Sequence, residues 1–151
     1  MRVLAWSGEL TQFSGDVLAI GRFDGAAPSP AEKKLDAALG GALAAAADRL
    51  RFKGKERQRV TVSATNKLGA QLVVLIGLGK ESACGPAILR DFPALAIETA
   101  LAERYPTVGF VPPVEGVDAV EQLALGARLG AYRYHDLLSE PEDGPRAAIE
   151  V

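Results

Sequence analysis

Cysteine and histidine, the residues that most often bind metals or serve as nucleophile and base, are nearly absent from this sequence. Its 151 residues include one cysteine, Cys84, and one histidine, His135. A single cysteine cannot form an internal disulfide. A catalytic metal site needs several ligands around one open position, and the chain has no HExxH motif or Cys/His cluster. The sequence therefore argues against metal catalysis, and we expect no metal and no other cofactor.

Long apolar runs and an excess of charge are also missing. The most apolar stretch, LGAQLVVLIGLG, is glycine-rich and shorter than the roughly 20 residues needed to cross a bilayer. The start, MRVLAWSGEL, lacks the basic, apolar and small-residue order of a signal peptide. A net charge of −2 gives no overall attraction to nucleic acid or to an anionic membrane. The sequence thus predicts a cytoplasmic protein with no membrane partner, and it argues against a nucleic-acid partner.

The remaining composition is typical of one globular domain. Apolar residues make up 48% of the chain and charged residues 24%, which is too apolar for a disordered protein. A chain of this length can build its own core without disulfides. We expect a single domain over residues 1–151.

Six segments are predicted to be β-strands. The run QLVVLI, bounded by glycines, is typical of a central strand covered on both faces, whereas the alternating RVTVSA suits a half-exposed strand. The first two strands are expected to pair through a tight connection. The predicted strands are Arg2 to Trp6, Asp16 to Phe23, Arg59 to Ala64, Gln71 to Ile76, Thr107 to Val111 and Ala147 to Val151.

Helices are predicted between these strands. The alanine-rich segment Ala31 to Leu50, with Ser29 as N-cap and Pro30 at the first helical position, is expected to break at Gly40 and Gly41. Alternating helices and strands indicate a layered α/β domain with a mixed, mostly parallel sheet.

Two further helices are predicted from apolar residues spaced three and four apart. In the segment Pro86 to Tyr105, Pro93 is expected to weaken the first turns. Its expected apolar face is Ile88, Phe92, Leu95, Thr99 and Ala102. The expected face of the last helix is Val117, Val120, Ala124, Ala127 and Ala131.

Five short motifs follow one another in an order that is similar to that of a known family. They are Gly15-Asp16-Val17-Leu18, Leu39-Gly40-Gly41, Phe52-Lys53-Gly54-Lys55, Leu75-Ile76-Gly77-Leu78-Gly79-Lys80 and Gly130-Ala131-Tyr132-Arg133-Tyr134. Together they resemble the amino-terminal domain of the leucyl aminopeptidase family, and the likeness covers nearly the whole chain.

This resemblance implies a three-layer, macro-domain-like fold with a mixed sheet of about six strands flanked by helices. In that family the two zinc ions, their ligands and the catalytic arginine belong to the carboxy-terminal domain, which has no counterpart in these 151 residues. The resemblance therefore transfers no catalytic residue to this chain.

A basic segment is the first candidate contact site. Residues 49–59 contain six cations and Phe52, enough to contact phosphates or an acidic partner. The alternative is a solvated loop that acids elsewhere balance. The candidate contact residues are Arg51, Lys53, Lys55, Arg57 and Arg59.

A glycine turn is the second candidate. Gly77, Gly79 and Lys80 follow a predicted buried strand and precede a helix, where backbone N–H groups can hold an anion. The turn lacks the full spacing of a GxxxxGK[ST] or GxGxxG motif. The alternative is that these glycines serve the turn alone.

Tyr132 and Tyr134 form a third candidate, an interface, because residues two apart on a helix point to different faces. His135 is interpreted as a surface residue near a helix end. Cys84 lies just before a predicted helix start, where a thiolate is stabilised, but no histidine lies near it in sequence to act as a base, so it is interpreted as an incidental thiol.

Three functions remain open. The first is a non-enzymatic interaction or regulatory module that binds another protein, such as a protease or aminopeptidase, or a second copy of itself. The second is the amino-terminal assembly domain of a full zinc aminopeptidase. The third, ranked last, is binding of a nucleotide or nucleic acid.

Overall fold

The computed structural model describes Trp6 and residues 8–137, and for residues 133–137 it describes the helical backbone only. Two sequence predictions therefore lie outside the described residues: the first strand, Arg2 to Trp6, apart from Trp6 itself, and the last strand, Ala147 to Val151. The expected pairing of the first two strands lies outside them for the same reason.

Four strands form one mixed sheet in the described part of the chain. They are β1 (Val17–Arg22), β2 (Arg59–Ser63), β3 (Leu72–Gly77) and β4 (Val108–Phe110), in the spatial order β2-β3-β1-β4. Strand β1 is parallel to β3 and to β4, and β2 is antiparallel to β3. The prediction of a mixed, mostly parallel sheet is confirmed. The described residues form four strands and not the expected six or so. The two other predicted strands lie outside the described residues.

Asp16 joins the three parallel strands at the edge where they begin. Its carbonyl oxygen accepts hydrogen bonds from the backbone N–H groups of Gln71 (2.8 Å) and Leu72 (2.9 Å). Its carboxylate Oδ2 accepts another from the N–H of Thr107, at 3.0 Å. One residue thus supplies acceptors to the starts of β3 and β4 while leading directly into β1.

The alanine-rich segment forms two helices, α1 (Pro30–Ala38) and α2 (Ala42–Arg49). The Ser29 hydroxyl caps α1 by accepting from the N–H of Glu32, as predicted. Gly40 and Gly41 have φ values of +68° and +82°, which side chains strongly disfavour, so the helix breaks there.

Helix α3 (Pro86–Ala102) continues through Pro93, so this proline does not interrupt the helix, and the expectation that it weakens the first turns stays a prediction. Pro93 is buried beside Phe92 and Leu95 in the core, and this packing offsets the backbone hydrogen bond that proline cannot donate. The buried face is also wider than predicted, since it includes Ile97 and Ala100 as well, whereas Ala102 is exposed.

Helix α4 (Val117–Leu137) buries a face that agrees with the predicted one only in part. Ala127 is buried as predicted, but Val117 and Val120 are 77% and 53% exposed, and Ala119 and Leu123 are buried in their place. The reason is contact through glycine: a Cβ at Gly126 would lie 2.2 Å from the carbonyl oxygen of Arg90, and one at Gly130 would lie 2.7 Å from the Cα of Ala94. Close backbone approach to α3 therefore decides the rotation of α4.

The core has two parts, one on each face of the sheet, which gives three layers. Alternate residues of β1 and β3 point to opposite faces. Val17, Ala19, Val74 and Ile76 pack with α3 and α4, whereas Leu18, Ile20, Val73 and Leu75 pack with α1 and α2. The three-layer prediction is confirmed. None of the described helices is both long and apolar enough to cross a membrane.

Replacement of Gly126 by alanine tests the α3–α4 contact. We expect Gly126→Ala to lower the free energy of unfolding by about 2 kcal/mol, because the clash with a rigid carbonyl outweighs the gain of about 1 kcal/mol in helix propensity. Gly130→Ala should cost less because its nearest contact is longer. Urea denaturation gives these values, with the exposed-face substitution Arg128→Ala as the control, and a stabilised Gly126→Ala protein would contradict the packing described.

Candidate interaction surfaces

The basic segment and the glycine turn, predicted as separate sites, lie against each other. The N–H of Gly79 donates to the carbonyl of Gly54 (2.9 Å), and the N–H of Arg57 donates to the carbonyl of Gly77 (3.2 Å). Both lie where β1 and β3 end, since Arg22 and Gly77 are partners in the parallel register. Ligands of open α/β sheets usually bind at this carboxyl edge.

Two glycines allow this close contact. A Cβ at Gly77 would lie 2.0 Å from the carbonyl oxygen of Lys55, and one at Gly54 would lie 2.3 Å from that of Phe23. Gly54 also has a φ of +85°, which only glycine adopts readily. A side chain at Gly77 would push the glycine turn away from the basic segment, and one at Gly54 would push that segment away from Phe23.

Gln58 fixes the shape of the basic segment. Its side-chain oxygen Oε1 accepts hydrogen bonds from the backbone N–H groups of both Lys53 and Lys55, each at 3.0 Å. Its own carbonyl accepts from the N–H of Gly77, at 2.8 Å. The sequence analysis did not single out Gln58, because an amide among charged residues has no distinguishing pattern.

Three backbone donors of the glycine turn form hydrogen bonds within the protein. The N–H groups of Gly77, Leu78 and Gly79 donate to the carbonyls of Gln58, Arg22 and Gly54 respectively. An anion at this turn would therefore depend on the exposed side chain of Lys80 and its neighbours. The anion site at Gly77, Gly79 and Lys80 stays a prediction.

We call Arg51, Lys53, Lys55 and Arg57, together with the adjoining Lys80, the basic loop. All five side chains are exposed, and no carboxylate among the described residues lies within ion-pair distance of them. Arg59, the fifth predicted contact in the basic segment, is held elsewhere: Nη1 lies 3.2 Å from Thr99 Oγ1 and 3.7 Å from Glu98 Oε2 on α3.

A buried ion pair lies beneath the basic loop. Arg22 Nε donates to Glu32 Oε2 at 2.9 Å, and Nη2 donates to Oε1 of the same carboxylate. The guanidinium carbon of Arg22 also lies 5.1 Å from the ring centroid of Phe52. Phe52 is 7% exposed, so this ring packs inside rather than offering a stacking surface to a ligand. The sequence analysis missed the pair, since its members are ten residues apart.

Removal of Glu32 tests this pair. We expect Glu32→Ala to cost about 3 kcal/mol of unfolding free energy, because it leaves the guanidinium of Arg22 in the interior without a counter-charge. The matched control is Lys34→Ala, which breaks the exposed pair with Glu9 and should change stability by less than about 1 kcal/mol. Chemical denaturation gives the free energy of unfolding of both variants. Equal decreases would show that the buried Arg22–Glu32 pair stabilises the fold no more than the exposed pair does.

Helix α4 carries an exposed apolar stripe formed by Leu125, Leu129 and Tyr132. These residues recur at steps of four and three, so they share one face of the helix, and they are 42%, 41% and 66% exposed. Tyr132 was predicted as an interface residue, whereas the two leucines were missed although their spacing was visible. The side chain of the other candidate, Tyr134, lies outside the described part, as does that of His135.

Metal-binding side chains do not cluster in the described part of the chain. There, no group of three or more His, Cys, Asp or Glu side chains is placed to hold a metal ion. A shallow depression beside β3 and α3 has Phe92 and Leu95 among its lining residues and Glu56, Arg57 and Asp91 at its polar side.

Burial raises the pKa of the Cys84 thiol above its ordinary value, and the nearby Glu81 carboxylate raises it further. A raised pKa is the opposite of what a nucleophilic cysteine needs. The interpretation of Cys84 as an incidental thiol agrees with this environment.

Alkylation kinetics test the state of Cys84. We expect the rate with iodoacetamide to rise at higher pH than for a free cysteine, because only the thiolate reacts. Glu81→Gln should lower the apparent pKa of Cys84 only part of the way to its ordinary value, since burial is the larger cause of the raised pKa. The rate profile of the folded protein is compared with that of the urea-unfolded chain, and a lower pKa in the folded state would overturn this description.

The three-layer fold is that of a macrodomain-like α/β domain. The macrodomain of Mycobacterium tuberculosis DarG aligns with 99% of this chain and 97% of its own, with a TM-score of 0.61 and 16% identity. A tomato leucine aminopeptidase aligns with 99% of this chain and 32% of its own, with a TM-score of 0.80 and 24% identity. Both likenesses concern the fold.

The family follows from sequence. Residues 19–141 match the model of the cytosol aminopeptidase family, N-terminal domain, and the chain belongs to this family. A probable cytosol aminopeptidase of Gloeobacter violaceus is 34% identical over 137 residues, which cover 87% of this chain and 27% of that protein. The chain thus spans about a quarter of the length of this relative, and the resemblance seen in the sequence is confirmed.

Proposed function

We propose that this domain is a non-catalytic protein-interaction module of the cytosol aminopeptidase family that contacts its partner through the apolar stripe of α4. The observation that supports this proposal is the stripe itself: Leu125, Leu129 and Tyr132 are exposed on one helix face while the two core clusters are filled by other residues. Aligned apolar side chains on a surface favour association because covering them removes apolar area from water.

The make-up of the stripe suits a protein partner. Tyrosine and leucine offer apolar area, and the phenol of Tyr132 keeps a hydroxyl for a hydrogen bond. Tyrosine is also enriched among the residues that dominate binding energy at interfaces. The regular backbone of α4 holds the three side chains in a fixed spacing, which lowers the entropy lost on binding.

The partner we propose is an aminopeptidase polypeptide of the same family or a second copy of this chain. The family assignment supports this choice, because known members carry this domain as about a quarter of a longer chain. In this proposal the domain has no enzymatic activity of its own and acts in the cytosol, where it regulates or assembles its partner.

A second candidate is the amino-terminal assembly domain of one continuous zinc aminopeptidase, in which the stripe packs within the same polypeptide. The coverage of 27% of the Gloeobacter protein favours it. The reading frame downstream of codon 151 separates the two candidates, because a continuing zinc-binding domain would support the second and a stop codon the first.

Paired substitutions on α4 test the stripe. We expect the unmodified protein to form a defined complex, with itself or with an aminopeptidase from its own cytosol, measured by light scattering and by mass spectrometry of the purified complex. Leu125→Ser combined with Leu129→Ser should weaken this complex roughly 30-fold, since half-burial of each leucine contributes about 1 kcal/mol.

The control is Leu50→Ser, which removes an exposed leucine, 53% accessible, at the end of α2. It should leave the complex unchanged, and circular dichroism should show all variants folded. A monomer that retrieves no aminopeptidase would contradict the proposal, as would a complex that survives the paired α4 substitutions.

A further inference from the structure

We infer that the basic loop is a second interaction surface, which binds a carboxylate-rich segment of a protein. This surface shares no residue with the α4 stripe and lies at the carboxyl edge of the sheet. The inference is therefore independent of the function proposed for α4.

The basic loop has a backbone held in place before any partner binds. Gln58 Oε1 holds the N–H groups of Lys53 and Lys55, and the carbonyl of Lys53 accepts from the N–H of Gly25 at 3.0 Å. Gly54 is buried against the carbonyl of Phe23. A surface whose backbone is already ordered loses less entropy when it binds.

Within the described part of the chain, the cations of this loop have no ion-pair partner. Arg51, Lys53, Lys55, Arg57 and Lys80 are exposed without a described carboxylate at ion-pair distance, although acids outnumber bases by 19 to 17 in the chain. Two of them, Arg51 and Arg57, have positive φ values of 52° and 64°, which are costly for a residue with a side chain. Guanidinium groups pair with carboxylates through two parallel hydrogen bonds.

Two observations favour carboxylates over nucleic acid. The backbone N–H groups of Gly77, Leu78 and Gly79 are bonded to Gln58, Arg22 and Gly54, so they are not available to a phosphate. The aromatic ring of this segment, Phe52, is buried and cannot stack on a base.

Fluorescence anisotropy with a labelled decaglutamate peptide tests this inference. We expect saturable binding at about 20 mM salt that weakens strongly by about 200 mM, since exposed charges are screened. Lys53→Ala combined with Lys55→Ala should weaken binding about tenfold, an effect in the range expected for two exposed ion pairs. The control, Lys33→Ala combined with Arg128→Ala, removes the same charge from exposed positions elsewhere and should change binding less than twofold.

Gln58→Ala tests the ordered backbone separately, because it keeps every cation. We expect peptide binding about threefold weaker than for the unmodified protein, with an unchanged far-UV circular dichroism spectrum serving as the check on folding. A 20-base-pair DNA duplex is the competing probe. The inference is overturned if the peptide fails to bind at low salt, if both charge-removing pairs weaken it equally, or if the duplex binds more tightly than the peptide at the same salt.

Discussion

The parallel pairing of β1 with β3 is the constraint on which the rest of this domain depends. Asp16 sets its start by accepting hydrogen bonds from Gln71 and Leu72, and the register then runs without a bulge to Arg22 opposite Gly77. Because side chains alternate along both strands, the same pairing supplies an apolar surface to the helices on each face. It also decides which loops meet at the carboxyl edge, and so brings the basic segment and the glycine turn together.

The two surfaces differ in physical character, and this difference suits separate roles. The α4 stripe is apolar and lies on a regular helix, so the affinity of a partner for it would depend on the apolar area buried and change little with salt. The basic loop is charged, and its irregular backbone is held by side-chain and glycine contacts. The affinity of a partner for this loop would depend on ionic strength, and its charges would raise the association rate. A partner that used both would be attracted by one surface and retained by the other.

The sequence predicted the elements better than their contacts. Strong local patterns, such as the buried run of β3 or the Ser29 cap with its Gly40-Gly41 break, correctly located strands and helices. The first turns of α4 were predicted wrongly, because the apolar spacing favoured Val117 and Val120, whereas backbone contact at Gly126 and Gly130 decides which face of the helix is buried. The Arg22–Glu32 pair and the role of Gln58 could not be predicted, since they depend on which segments the sheet brings together.

The glycine contacts between α3 and α4 also determine the direction in which α4 presents its outer face. Gly130 is fixed on Ala94, and Tyr132 follows only two residues later, so the helix has no freedom to turn between the two. Each residue advances a helix by about 100°, and a single inserted residue between them would carry Tyr132 out of line with the two leucines while leaving the composition of the helix almost unchanged. Among related sequences, the number of residues separating these positions should accordingly vary less than their identities do.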